Sequence, residues 1–170
     1  MLKMPDLIKL FKYNDKQFVT HNHEALFTVK DSEDKRGKIE GAHTKNLFLK
    51  NKKNQFCLFS CKENSIIDLK QFSKTININN LSFAKEEYLL RYLGIRPGSV
   101  SPYALLNDKE NRVSFYLEDK LYYSKKINFH PLVNTTTITL FTSDFIEFMI
   151  ANKKKINVFS LKNYKIIKIL

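Results

Sequence analysis

Three short stretches of this chain carry residues whose types and spacing suit chemistry. The first is Lys45-Asn46, at the head of the run that continues Leu47-Phe48-Leu49. On a strand Lys45 shares a face with Leu47 and Leu49, so its ammonium is either drawn to the rim or held in a partly desolvated site. A lysine fixed in a pocket is a compact, potent point charge. The second stretch is Gly98-Ser99-Val100-Ser101-Pro102. From Gly94 to Pro102 the chain spends two of its 4 glycines and two of its 4 prolines, which marks one shaped loop. The third is His130, directly before Pro131. Each has an ordinary explanation when taken alone: a lysine reaching solvent, a turn, a structural histidine.

Other candidates fall away. His21 and His23 share a face of an extended segment, yet no Cys, Asp or third His stands at ligand spacing, so no metal site is expected. Cys57 and Cys61 lie four residues apart on one strand, too far along it for easy bridging. Neither opens a helix or sits in an evident electropositive niche, which argues against a thiol nucleophile. There is no phosphate loop, dinucleotide glycine motif or nucleophile elbow, and no cofactor is expected.

The elements that must position these residues can be read from periodicity. Leu47–Leu49 and Phe56–Phe59 are apolar runs joined by the polar connection Lys50–Asn54, the pattern of a β-hairpin. Asp6 to Tyr13 has helical spacing behind Pro5, and Gln17–His21 reads as a first strand. Ala25–Val29 is short and apolar, and the charged segment Lys30–Lys35 follows it. A short helix is expected from Ile66 to Phe72, a strand at Leu81–Ala84, and a helix over Lys85–Leu93 stopped by Gly94. Tyr103–Asn107 reads as a helical turn and Val113-Phe115-Leu117 as an alternating strand. Ile127–Pro131 turns into the β-branched strand Thr135–Leu140. Ser143-Asp144 should cap an amphipathic helix bearing Phe145, Ile146, Phe148, Met149 and Ile150. Asn157–Leu161 is expected to be the last strand. The fold class is α+β: a single domain with a mixed, largely antiparallel sheet and flanking helices.

A length of 170 residues and a hydrophobic content of 43% suit one domain with a sizeable core. No apolar run approaches bilayer length and the start, Met1–Asp6, has no signal-peptide core. With 2 cysteines best read as small buried hydrophobes, the expected compartment is the cytoplasm. The net charge of +12 points to a polyanionic partner such as RNA, although Lys, Asn and Ile enriched together are also what AT-rich coding produces. Residues 151–170 hold Lys153, Lys154, Lys155, Lys162, Lys165 and Lys168 and no acid. Lys153, Lys154 and Lys155 are the candidate phosphate contacts.

Taken together and in order, four blocks resemble the free-standing prolyl-tRNA editing domains, the YbaK/ProX family of trans-editing deacylases. They are His23–Val29, Gly41-Ala42-His43-Thr44-Lys45-Asn46-Leu47-Phe48-Leu49, Tyr92-Leu93-Gly94-Ile95-Arg96-Pro97-Gly98-Ser99-Val100-Ser101-Pro102, and Asn128–Thr136. The similarity is greatest to the branch that clears alanine from mischarged proline tRNA. Thr44 stands where that branch often has Cys, and Ala104 where Gly is usual. The resemblance implies an editing domain over 1–161 with a basic tail at 162–170. It implies Lys45 as the key active-site residue supported by Asn46. The small amino-acid pocket would be shaped by Leu26, Phe27, Thr28, Gly98, Ser99, Val100, Ser101, Pro102 and His130.

The activity implied is hydrolysis of the aminoacyl ester on the terminal adenosine, Ala-tRNA(Pro) being the expected substrate. Cys-, Ser- or Thr-charged tRNA is the alternative, as is a non-catalytic tRNA-binding module. Such an ester is already activated by the neighbouring hydroxyl, so positioning and a fixed positive group suffice without a protein nucleophile. Lys45 would either stabilise charge at the carbonyl or clamp the RNA backbone. The resemblance also implies prolyl-tRNA synthetase as a docking partner.

Overall fold

The structure is a computed structural model that describes residues 1–25 and 38–170. The apolar and charged segments expected between residues 26 and 37 lie outside the described residues.

Helix α1 (Met4–Tyr13) opens with Pro5 in its first turn, and Asp6 turns back to accept the Lys3 N–H at 3.0 Å. Its apolar stripe buries Leu7 and Phe11. β1 (Phe18–Asn22) follows. The expected hairpin is β2 (Thr44–Lys50) and β3 (Phe56–Lys62), antiparallel from Thr44↔Lys62 to Lys50↔Phe56. Asn51 builds its turn: the side-chain carbonyl accepts the N–H groups of Lys53 (2.9 Å) and Gln55 (3.0 Å), and Asn54 takes the left-handed conformation.

Helix α2 (Leu69–Thr75) starts later than Ile66. Asp68 sets the boundary by accepting from Lys70 N and Gln71 N, a cap worth about 1 kcal/mol. After β4 (Ser82–Phe83), the single helix expected over Lys85–Leu93 is instead the short α3 (Glu86–Tyr88) running into a π-helical turn, Leu89–Leu93. Leu89 and Leu93 are buried there and the Tyr88 and Tyr92 rings stack, while Gly94 ends the turn at φ 65°. A 3-10 helix spans Pro102–Asn107.

The remaining elements are β5 (Val113–Glu118), α4 (Asp119–Tyr122), β6 (Lys126–Phe129), β7 (Thr136–Phe141), α5 (Thr142–Ala151), β8 (Ile156–Ser160) and β9 (Lys165–Ile169). Ser143 and Asp144 do not cap α5. β7 runs straight into it with Phe141 at the cap position and no side-chain bond there, and Thr142 N–H is spent on Lys125 O (3.0 Å). The expected last strand, β8, is followed by another: β9 pairs with it antiparallel across a bulge, so lysines 165 and 168 belong to the sheet.

Two sheets result. One has the order β1-β7-β6, and the other β4-β2-β3-β5-β8-β9. Every pairing is antiparallel except β3–β5 and β5–β8. The sheets meet where Ala42 bridges Ile127 in parallel, its N–H to Lys126 O (2.9 Å) and its carbonyl taking Asn128 N–H (3.0 Å). The main core lies between them, filled by Phe48, Leu58, Phe115 and Val158 from one sheet, Phe129 and Ile138 from the other, and Phe11, Tyr103, Phe145 and Phe148 from the helical elements. A second core occupies the other face of the six-stranded sheet, where Leu49, Cys57, Phe59 and Cys61 pack under Phe72 of α2.

Candidate active site

Strand alternation sends neighbouring side chains of β2 to opposite faces. Asn46 faces the side of the main core. Its amide donates to the Val100 carbonyl at 3.0 Å, and its carbonyl accepts the hydroxyl of Ser60, its fully buried partner across the hairpin, at 2.5 Å. Asn46 thus ties the hairpin to the middle of the glycine–proline loop. Within that loop Pro97 and Gly98 occupy the centre of a turn closed by Ser99 N–H to Arg96 O (3.2 Å). Gly98 sits at φ 84°, the left-handed region that a turn with proline first and glycine second requires. Ser101, fully buried, then caps the 3-10 helix through Tyr103 N–H at 3.4 Å, with Pro102 in the first position. Tyr103 packs edge-on against Phe129, at 5.8 Å between ring centres, so loop and β6 share one wall.

His130 follows the end of β6, its ring beside that of His23. Because β2 and β6 run parallel from the Ala42 bridge, and Thr44 Oγ1 donates to Asn128 O at 2.8 Å, the next side chain of that face, Asn46, points toward the His130 end of β6. His130 Nδ1 lies 2.8 Å from the Thr136 carbonyl, so it carries a proton and leaves Nε2 as the acceptor in the neutral ring. Burial holds the His130 pKa below the ordinary histidine value, the Thr136 bond opposes that, and His23 adds to it. The His23 ring stands 5.9 Å away and bonds Thr137 Oγ1 at 2.9 Å, while His21 bonds Thr139 Oγ1 at 3.1 Å. Both histidines of β1 and its end are thus tied to threonines of β7, and among the described residues no group of His, Cys, Asp and Glu could hold a metal ion.

Lys45 occupies the other face. It stands opposite Cys61, and its ammonium donates to the backbone carbonyl of Ser65 at the rim of the second core. Neither cysteine is bridged, and burial pushes both thiols up to about 12. Ser65 in turn donates its hydroxyl to both oxygens of Glu118, at 2.8 Å each. Beside this corner an open groove of about 480 Å³ is lined by Asn64, Ser65, Ile66, Lys120, Leu161 and Lys162.

The structure therefore brings Asn46, Val100 and its loop together, places Lys45 on the opposite face of the sheet, and sets His130 against His23 and Thr136. Leu26, Phe27 and Thr28 lie outside the described residues. Lys153–Lys155 form the turn before β8, level with Phe56 and Val113, whereas Lys45 is level with Cys61. The two lie at opposite ends of the strands, about 17 Å apart along them at 3.3 Å per residue. Lys154 is held by Asp108 O (2.6 Å) and Asn111 Oδ1 (2.7 Å), while Lys153 and Lys155 are exposed.

Sequence reading missed Ser60 and Glu118. A signal for Glu118 exists: an acid closes an otherwise apolar, alternating strand. Ser60 shows no such mark, because its role follows only from hairpin register.

This chain belongs to the aminoacyl-tRNA editing domain family, whose profile matches residues 23–148. It is 33% identical over 129 residues to the prolyl-tRNA synthetase associated domain-containing protein 1 of Danio rerio, covering 75% of this chain and 70% of that one. It is 32% identical over 133 residues to the prolyl-tRNA editing protein ProX of Acetoanaerobium sticklandii, covering 76% and 80%. A crystal structure of a candidate trans-editing enzyme for prolyl-tRNA synthetase superposes with a TM-score of 0.66 at 14% identity, over 91% of this chain and 94% of that one, a likeness of fold.

Proposed function

We propose that this protein is a trans-editing hydrolase that removes alanine from mischarged proline tRNA. The observation that carries the reading is the Asn46 amide on the Val100 carbonyl, which fixes the glycine–proline loop against β2. In this reading the loop and His130 would wall a pocket sized for a small amino acid. One missing methylene is worth only about 1–3 kcal/mol in a synthetase pocket, so a second, narrower hydrolytic site is the expected remedy. In the reaction water adds to the ester carbonyl, the acyl–oxygen bond breaks, a proton passes to the ribose oxygen, and free alanine leaves.

The two neighbours on β2 divide the work. Asn46, with the Gly98–Pro102 loop and His130, serves the acyl end. Lys45, on the far face beside a groove bearing Lys120 and Lys162, serves the RNA backbone and holds the terminal adenosine in register. Lys153 and Lys155 contact the same RNA one sheet length away. The Thr44 hydroxyl donates to Asn128 O at 2.8 Å and so has no proton left to donate to a polar substrate side chain. Alanine is therefore favoured over serine, cysteine or threonine.

Synthesis under error tests this. With prolyl-tRNA synthetase, ATP, alanine and proline tRNA, Ala-tRNA should accumulate in the absence of this protein and stay at background in its presence. Accumulation unaffected by the protein overturns the assignment.

A further inference from the structure

We infer that Glu118 is a positioning residue for Lys45, acting through the Lys62–Ser65 turn; this rests on the reading above that Lys45 takes part in the reaction. Glu118 ends β5 with no exposed side-chain surface. A buried carboxylate is costly unless its oxygens are satisfied, and here every short bond goes into one four-residue turn. Lys62 N–H donates to Oε2 at 2.7 Å, and the Ser65 hydroxyl reaches both oxygens at 2.8 Å. The turn is closed by Ser65 N–H to Lys62 O (3.0 Å) and tethered to the approach of β2 by Glu63 N–H to His43 O (3.0 Å).

With the backbone fixed at 62, 63 and 65, the Ser65 carbonyl is left facing the Lys45 ammonium. A lysine on four rotatable bonds needs such an anchor to present its charge in one place. Lys120 lies 3.9 Å from Oε1 with its own side chain largely exposed, a pairing too weak to account for a fully buried acid. Glu118 touches neither water nor the site surface, so its influence on the reaction runs through the turn.

The test uses the full chain with Glu118→Gln, which keeps the volume but turns an amide toward donors, and the milder Ser65→Ala, which keeps the carbonyl and loses the hydroxyl. Nitrogen-15 NMR of the lysine ammonium groups, with Lys45 assigned through Lys45→Arg, reports the anchor directly and without reference to activity. In both variants the Lys45 signal is expected to move to the position of solvent-exposed lysines. A Lys45 signal unmoved in either folded variant overturns the proposal. Deacylation then supplies a double-mutant cycle: Glu118→Gln should lower kcat/KM about ten-fold and add nothing in a Lys45→Ala background. Multiplying losses overturn the proposal as well. If Lys45→Ala leaves the rate unchanged, the functional reading of Lys45 fails, and the NMR result still decides whether Glu118 positions it.

Discussion

Lys45 and Asn46, joined by one peptide bond, rest on backbone carbonyls on opposite faces of the same sheet: the ammonium on Ser65, the carboxamide on Val100. Their substitutions should therefore separate activity from stability. Lys45 is half-buried at a rim and its only cost is one carbonyl bond, so Lys45→Ala should change stability by less than about 1 kcal/mol while lowering kcat/KM about a hundred-fold. Asn46→Ala orphans the buried Ser60 hydroxyl and frees the Val100 carbonyl, and should cost about 1–3 kcal/mol as well as activity. Urea denaturation beside single-turnover deacylation checks the contrast; equal stability losses would contradict it.

Gly98 provides a second test. At φ 84° an alanine is strained, so Gly98→Ala should destabilise by about 1–2 kcal/mol and slow hydrolysis of the alanyl ester. Gly98→Asn, which tolerates the left-handed region better, should recover part of the stability. An unchanged rate and selectivity in Gly98→Ala would remove the loop from the pocket.

The buried His130 makes stability depend on pH in a defined direction. Its folded pKa is held below the ordinary value of 6.5, chiefly by burial, so the unfolded chain binds its proton first as pH falls. The contribution of His130 to stability is full above about 6.5 and is lost as pH falls from there toward its folded pKa. His130→Asn should flatten the thermal melting temperature over that window, and activity in the parent protein should be level from about pH 7 to 8. An NMR titration of His130 with a midpoint above 6.5 would reverse the sign.

The lysines at 153 and 155 should act on RNA alone. Their joint replacement by alanine should weaken tRNA binding and reduce the salt slope by about one for each phosphate no longer neutralised. Lys154→Ala should instead appear as lost stability, because its ammonium anchors the Asp108–Asn111 loop and burial already holds its pKa down. Unchanged affinity in the Lys153, Lys155 double variant would take that turn off the RNA surface.

The hairpin was legible because two apolar runs flank an asparagine turn whose chemistry is local, and the loop was legible because glycine and proline are scarce elsewhere. The face of Lys45 was legible from strand alternation with Leu47 and Leu49. What that alternation also implies, that Asn46 must look the other way, is realised only when Ser60 and Val100 arrive from 14 and 54 residues away. The π-helical turn at Leu89–Leu93 is set by packing of Leu89 and Leu93 that no helix propensity encodes. β9 reads as a lysine-rich end until β8 is present to pair with it. Long-range register is what the linear chain withholds.

The most direct measurement is release of labelled amino acid from a panel of charged tRNAs: alanyl-, prolyl-, seryl-, cysteinyl- and threonyl-tRNA(Pro), with alanyl-tRNA(Ala) as the correct pair. The account predicts rapid release from alanyl-tRNA(Pro), little from prolyl-tRNA(Pro) or alanyl-tRNA(Ala), and loss of that release in Lys45→Ala and Asn46→Ala. Release from none of the panel, with tRNA still bound, would contradict it.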